Sequence, residues 1–198
     1  MNIILASGSP RRKDLLREVR LEFNIEIPDV DETPRARELP RKMVERLARE
    51  KALAVLAKHP GEDVLVIAAD TTVVAPDGKT NLGKPVDTDE AFRMLRALSG
   101  KTHTVFTGYA IAIQRAGKKK VHSRTVRTRV ALRKLKPQIL RDYIATGEPM
   151  DKAGSYAAQG KGMALVTEIR GSYTNVVGLP ISHLVEDLER LAGIQVLK

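Results

Sequence analysis

The sequence predicts a mixed α/β or α+β protein, and three observations carry that prediction. Apolar runs of strand length alternate with segments of helical spacing. A hairpin signal at Asp77-Gly78 turns one strand back on its neighbour, so the sheet is mixed rather than purely parallel. No repeat, low-complexity linker or composition break interrupts the 198 residues, which suit one domain spanning 1–198.

The elements follow in order. Residues 2–6 form a buried strand, and a Ser-Gly-Ser-Pro turn leads into a helix from Arg11 to Val19 with Ser9 as N-cap and Pro10 at its first position. Phe23 to Ile27 is a second strand, and Pro28 to Pro40 a polar loop. From Arg41 to Lys58 the apolar residues Met43, Val44, Leu47, Ala48, Ala52, Val55 and Leu56 keep helical spacing, and Pro60-Gly61 stops the helix. Val64 to Ala69 is a fully buried strand ended by Asp70. The Asp77-Gly78 turn joins Thr72–Ala75 to a short strand near Lys79–Leu82. Asp87 with Glu90 starts a helix through Leu98, closed by Ser99-Gly100. Strands follow at His103–Arg115 and Lys120–Leu132 around a Gly117-centred turn. The chain ends with a helix at Pro137–Thr146, a strand at Ala164–Ile169 and a helix at Ile181–Leu191 closed by Gly193.

Composition removes whole classes of function. With no cysteine, disulfides, thiolate metal sites and thiol catalysis are excluded. The longest clean apolar run, Val64 to Ala69, is too short to span a bilayer, and the N-terminus lacks the basic segment of a signal peptide, so cytoplasm is the expected compartment. The formal net charge of +10 favours anionic partners, polymeric or small. Three Phe, four Tyr and no Trp leave few stacking platforms for single-stranded nucleic acid. Basic residues alternate with Val and Thr along Lys120–Leu132. They are read as a solvated edge strand, with nucleic-acid contact as the alternative.

Three polar, Gly-bearing turns carry the chemistry. In Ala6-Ser7-Gly8-Ser9-Pro10-Arg11-Arg12, a strand runs into a helix N-terminus whose free N–H groups and dipole attract an anion. Arg11 and Arg12 oppose that dipole, so they are either phosphate ligands or solvated surface. Asp70 stands at the carboxyl end of a buried strand, where open α/β sheets place ligands; a turn-capping role is the alternative. Gly78 to Pro85 nearly spells a nucleotide P-loop. It fails at Pro85, which has no hydroxyl for a metal and stops the required helix, although Lys84 can still meet a phosphate as a point charge. The four His show no metal spacing and there is no G-x-S-x-G. Cation-rich turns with carboxylates near strand ends suit phosphate chemistry with a hard divalent metal.

These residues also carry a resemblance. Leu5-Ala6-Ser7-Gly8-Ser9-Pro10-Arg11-Arg12 is similar to the opening signature of the Maf proteins, nucleoside triphosphate pyrophosphatases. The likeness continues through Glu32, Leu47–Ala52, Ala69-Asp70-Thr71, Gly83-Lys84-Pro85 and Met94–Gly100. It ends with Glu148–Tyr156, Gln159-Gly160 and Gly171–Pro180. The resemblance implies a twisted mixed sheet with flanking helices, related to the inosine triphosphatase fold, with two lobes around a cleft. It implies hydrolysis of a nucleoside triphosphate to the monophosphate and pyrophosphate, with Mg²⁺, or Mn²⁺ or Co²⁺ in its place, by a homodimer. Tyr156, Gln159-Gly160 and Gly171-Ser172-Tyr173 resemble the branch acting on dTTP and UTP. On the same resemblance Ser7, Arg11, Arg12, Lys51 and Lys84 hold the triphosphate. Glu32 and Asp70 serve the metal and the attacking water, Asp70 as metal ligand or as proton acceptor. Thr71 and Gln159 contact the base or shape its pocket. A basic regulator that binds nucleic acid or a partner protein without turnover is the rival function. It has no use for Glu32 and Asp70, and nucleic acid is not the expected partner.

Overall fold

The computed structural model describes residues 1–196. Among the described residues, seven strands and six α-helices follow one another as β1 (Asn2–Ala6), α1 (Pro10–Glu18), β2 (Asn24–Glu26), α2 (Pro40–Leu56), β3 (Val64–Val74), β4 (Asn81–Leu82), α3 (Thr88–Leu98), β5 (Thr102–Arg115), β6 (Lys118–Leu132), α4 (Pro137–Ala145), β7 (Val166–Arg170), α5 (Tyr173–Val177) and α6 (Ile181–Ala192). Three short 3₁₀ turns, Glu148–Asp151, Ala153–Ser155 and Gly160–Leu165, fill the stretch between α4 and β7. The strands make one sheet in the order β2-β1-β3-β5-β6-β7, with β4 on β3. β1 runs parallel to both β2 and β3, whereas β4 is antiparallel to β3 and β7 to β6. The sheet is mixed, as the sequence predicts. No helix among the described residues is long and apolar enough to cross a membrane.

The chain divides into two compact units, neither a contiguous stretch. The first comprises Met1–Asp70, Thr107–Val126 and the segment from Gly178 on; the second comprises Thr71–Phe106 and Arg127–Val177. In the first unit, alternate strand residues face opposite helices, as the pleat requires. Leu5, Leu65, Ile67, Tyr109 and Ile111 pack with Leu16 of α1 and with Leu184 and Leu188 of α6. Ile4, Val66, Ala68, Ala110 and Ala112 face the other way, onto Ala48, Ala52, Val55 and Leu56 of α2. Helix α2 sits so close that a Cβ on Gly108 of β5 would lie 2.3 Å from the carbonyl oxygen of Val44. Only glycine allows that approach. In the second unit, Ala91, Leu95 and Leu98 of α3 and Leu140, Tyr143 and Ile144 of α4 pack with Val105, Val130 and Leu132. Full burial of each such side chain contributes about 1.5–3 kcal/mol.

Four sequence expectations change. The two strands expected on either side of Asp70 are one strand, β3. Its partner changes midway, from β1 through Ala68 to β4 from Val73, and the β-branched run Thr71–Val74 keeps it extended. Ser9 occupies the N-cap of α1, but its side chain makes no capping bond. Strand β6 is an edge only in part, because β7 pairs with Arg129–Leu132 and so covers its end. Finally, the strand expected from Ala164 begins at Val166, after a 3₁₀ turn.

The turn between β5 and β6 holds Ala116 at φ 48° and Gly117 at φ 75°. A two-residue loop with both residues left-handed suits Asn-Gly, and an alanine there costs roughly 1 kcal/mol. Ala116→Asn is therefore expected to stabilise the protein by about 0.5–1 kcal/mol and to raise its melting temperature by about 1–3 °C. A melt that falls or stays level shows that the turn carries no such strain.

Candidate active site

The first unit gathers six of the residues singled out in the sequence. Parallel pairing of Ala6 with Ala68 puts Ser7 just past the carboxyl end of β1, and Asp70 inside β3, beyond the last of its pairs with β1 rather than at a strand end as the sequence predicts. Ser7 is buried, and its Oγ accepts from the Ser9 backbone N–H at 3.2 Å and from Arg12 Nη1 at 3.2 Å. That bond from Ser9 folds the turn that a capping side chain would otherwise fold. Arg12 also donates through Nε to the carbonyl oxygen of Gly178 at 2.9 Å, so a half-buried guanidinium is fixed over the start of α1. Withdrawal from water holds its pKa below the ordinary arginine value, and neighbouring Arg11 acts in the same direction; Asp70 and Glu32 oppose them. Arginine remains protonated under such pressure, so the position keeps a cation that a phosphate can neutralise.

Lys51 lies on the apolar stripe of α2, four residues after Leu47, and is 6% exposed. A lysine in that stripe needs a partner, and it has two. Its Nζ lies 2.7 Å from Asp70 Oδ1 and 3.0 Å from Glu32 Oε1. Asp70 is 8% exposed, whereas the Glu32 side chain is 60% exposed. The lysine joins a carboxylate of the strand to one of the loop.

That loop is itself clamped, by residues the sequence reading did not assign. Arg46 of α2 forks onto Glu38, with Nε to Oε1 and Nη2 to Oε2 both at 2.7 Å. The same guanidinium donates to Glu50 Oε2 at 2.9 Å and to the carbonyl of Thr33, next to Glu32, at 3.3 Å. The bonds from Arg46 pull the Glu38 carboxyl down to about 2 against the opposing effect of burial. Arg46 and Glu50 stand four residues apart on a helix, the spacing that would have shown half of this clamp.

Thr71, Lys84 and Gln159 belong to the second unit. Thr71 is half-buried on β3; Lys84 and Gln159 are exposed, and neither side chain makes a hydrogen bond or ion pair among the described residues. Gln159 precedes the 3₁₀ turn Gly160–Leu165 in extended backbone, φ −122° and ψ 168°.

No group of three or more His, Cys, Asp and Glu among the described residues could hold a metal ion. Glu32 and Asp70 nonetheless fit a hard cation of the Mg²⁺ kind, which takes one or two carboxylates and completes its shell with water and substrate phosphates.

Fixed cations at a helix start, beside a buried carboxylate on a sheet strand, define a protein that handles phosphate esters or anhydrides on an α/β frame. The chain belongs to the Maf-like protein family, whose sequence model matches residues 2–191. It is 49% identical to the dTTP/UTP pyrophosphatase of Pelotomaculum thermopropionicum over 98% of each chain. Identity to the dTTP/UTP pyrophosphatase of Shewanella sp. (strain MR-7) is 50%, covering 98% of this chain and 100% of that one. A solved nucleoside-triphosphatase, a dITP/XTP pyrophosphatase from Mycobacterium abscessus, aligns with 98% of this chain and 100% of that one at a TM-score of 0.44 and 14% identity.

Proposed function

We infer that this chain is a nucleoside triphosphate pyrophosphatase that cleaves dTTP and UTP to the monophosphate and pyrophosphate. The observation that carries the inference is the buried Lys51–Asp70 pair at 2.7 Å, beside an Arg12 guanidinium fixed by Ser7 and Gly178. Membership of the family, with relatives of that activity across nearly the whole chain, supports it.

Cleavage between the α- and β-phosphates needs a water aimed at the α-phosphorus and a stabilised pyrophosphate leaving group. Negative charge grows on the leaving oxygens, where fixed cations lower the barrier. Arg11, Arg12 and the N–H groups at the start of α1 supply that field, Ser7 fixes Arg12, and Lys84 adds a point charge. Asp70 accepts the proton of the attacking water. Lys51 holds one of its oxygens, so the other is left to face the water, and Oδ2 makes no hydrogen bond among the described residues. Glu32 would hold a divalent cation, Mg²⁺ or in its place Mn²⁺ or Co²⁺, with Asp70 as its second ligand only in the alternative where Asp70 is not the base, and such an ion neutralises phosphate charge. Thr71 and Gln159 contact the base. Resemblance to the family also supports a cytoplasmic homodimer.

A triphosphate panel with pyrophosphate and orthophosphate assayed separately tests the reaction. With dTTP or UTP and Mg²⁺, monophosphate and pyrophosphate should appear in equal amounts. Orthophosphate as the primary product sinks the assignment.

A further inference from the structure

We propose that Glu148 is a positioning residue for base specificity, the template on which the loop carrying Gln159 is folded. The proposal rests on Gln159 reading the base.

Glu148 follows α4 at the start of the first 3₁₀ turn and is half-buried. Three donors from different parts of the second unit converge on its two oxygens. Oε1 accepts from the Tyr143 hydroxyl at 2.9 Å and from the Gly162 N–H at 2.8 Å; Oε2 accepts from the Lys161 N–H at 2.9 Å. Burial on its own would raise the carboxyl pKa. The backbone N–H bonds, the Tyr143 hydroxyl and the charge of Lys152 outweigh it, so the group stays ionised and accepts through both oxygens.

The loop is shaped to this carboxylate. Gly160 has φ +64°, and a Cβ there would stand 2.6 Å from Glu148 Oε2. A Cβ on Gly162 would stand 2.2 Å from the carbonyl oxygen of Ala157 and 2.7 Å from the Tyr143 hydroxyl. Before Gln159 the same machinery continues, since the Ala157 N–H donates to the Tyr143 hydroxyl at 3.1 Å. The Tyr173 hydroxyl donates to the Ala158 carbonyl at 3.3 Å. The backbone is thus pinned at 157, 158, 161 and 162, while the Gln159 side chain has no hydrogen bond of its own among the described residues. Where its amide points is therefore set by backbone that Glu148 and Tyr143 hold. Neither residue need touch the nucleotide to decide how the base is read.

Glu148→Gln is the direct test. A glutamine keeps one acceptor oxygen and turns an NH₂ group toward either the Lys161 N–H or the Tyr143 and Gly162 donors, so at least one loop contact is lost. kcat/KM for dTTP and for CTP is measured in the wild type, Glu148→Gln, Tyr143→Phe and Gln159→Glu, with amide hydrogen exchange followed at Lys161 and Gly162. The dTTP-to-CTP ratio should narrow by roughly three- to tenfold in Glu148→Gln, through loss on dTTP, and exchange at both amides should quicken by about tenfold or more. Tyr143→Phe should narrow the ratio in the same direction by a smaller factor, and it carries the test if Glu148→Gln melts below the assay temperature. A parallel fall on both substrates marks a purely structural role and overturns the proposal. A wild-type ratio in Glu148→Gln and Tyr143→Phe, while Gln159→Glu narrows it, overturns the proposal and leaves Gln159 as the base reader. An unchanged ratio in Gln159→Glu removes that premise and the proposal together.

Discussion

Asp70→Asn should lower kcat by about 10²- to 10⁴-fold, the range that a positioned general base supplies. Asparagine is nearly isosteric but cannot take a proton from water at neutral pH. The amide oxygen still accepts from Lys51, so only the charge on that hydrogen bond is lost, at about 1–1.5 kcal/mol, which shifts the melt without unfolding the protein at assay temperature. Lys51 is not stranded by the change, because Glu32 Oε1 lies 3.0 Å from its Nζ. A thermal melt beside the assay separates the outcomes. Near-normal turnover with a lowered melt would assign Asp70 a structural part only; a folded protein with collapsed turnover assigns it to the reaction.

The base gives the second large effect. Uracil and thymine present an N3–H donor between two carbonyl acceptors, whereas cytosine replaces one carbonyl with an amino group and loses that N–H. An amide offers a donor and an acceptor, so Gln159 matches the uracil edge, and cytosine in the same pose strands a polar group at about 1–3 kcal/mol. The wild type should prefer dTTP and UTP over CTP by roughly ten- to hundredfold in kcat/KM. Gln159→Glu removes the donor and adds charge near the ring, so it should weaken dTTP and UTP turnover more than CTP turnover. The alternative is that Gln159 bonds its own loop and pocket size alone selects pyrimidines; its amide makes no hydrogen bond among the described residues. An unchanged ratio in the mutant shows that something other than Gln159 selects the base.

Much of this was legible in the chain, for identifiable reasons. Periodicity marked α2 because eight of its residues are buried on one face, and Asp87 with Glu90 marked the start of α3 because the capping bond is there, Glu90 N–H to Asp87 Oδ1 at 2.7 Å. Residues 148–165 were not legible as elements: 3₁₀ turns of three to six residues are too short to show a period. Single site residues were visible where chemistry clashed with position, as with two arginines at a helix start. What stayed hidden was pairing across sequence distance. Nothing in the order of residues says that Lys51 bridges Glu32 and Asp70, or that Arg46 reaches back to Thr33 and Glu38. Those contacts exist only once α2 lies on the sheet.

The way the first unit is assembled has a consequence for its birth on the ribosome. Its core joins Leu5 and Leu16 to Leu179, Leu184 and Leu188, which are made well after them. Arg12 is oriented by the carbonyl of Gly178, 166 residues downstream. A nascent chain still lacking the segment from Gly178 on therefore exposes the sheet face that α6 covers and holds Arg12 more loosely. Such chains should depend on chaperones until α6 is made, and substrate binding should switch on only when α6 docks rather than as the Ser7–Arg12 signature emerges.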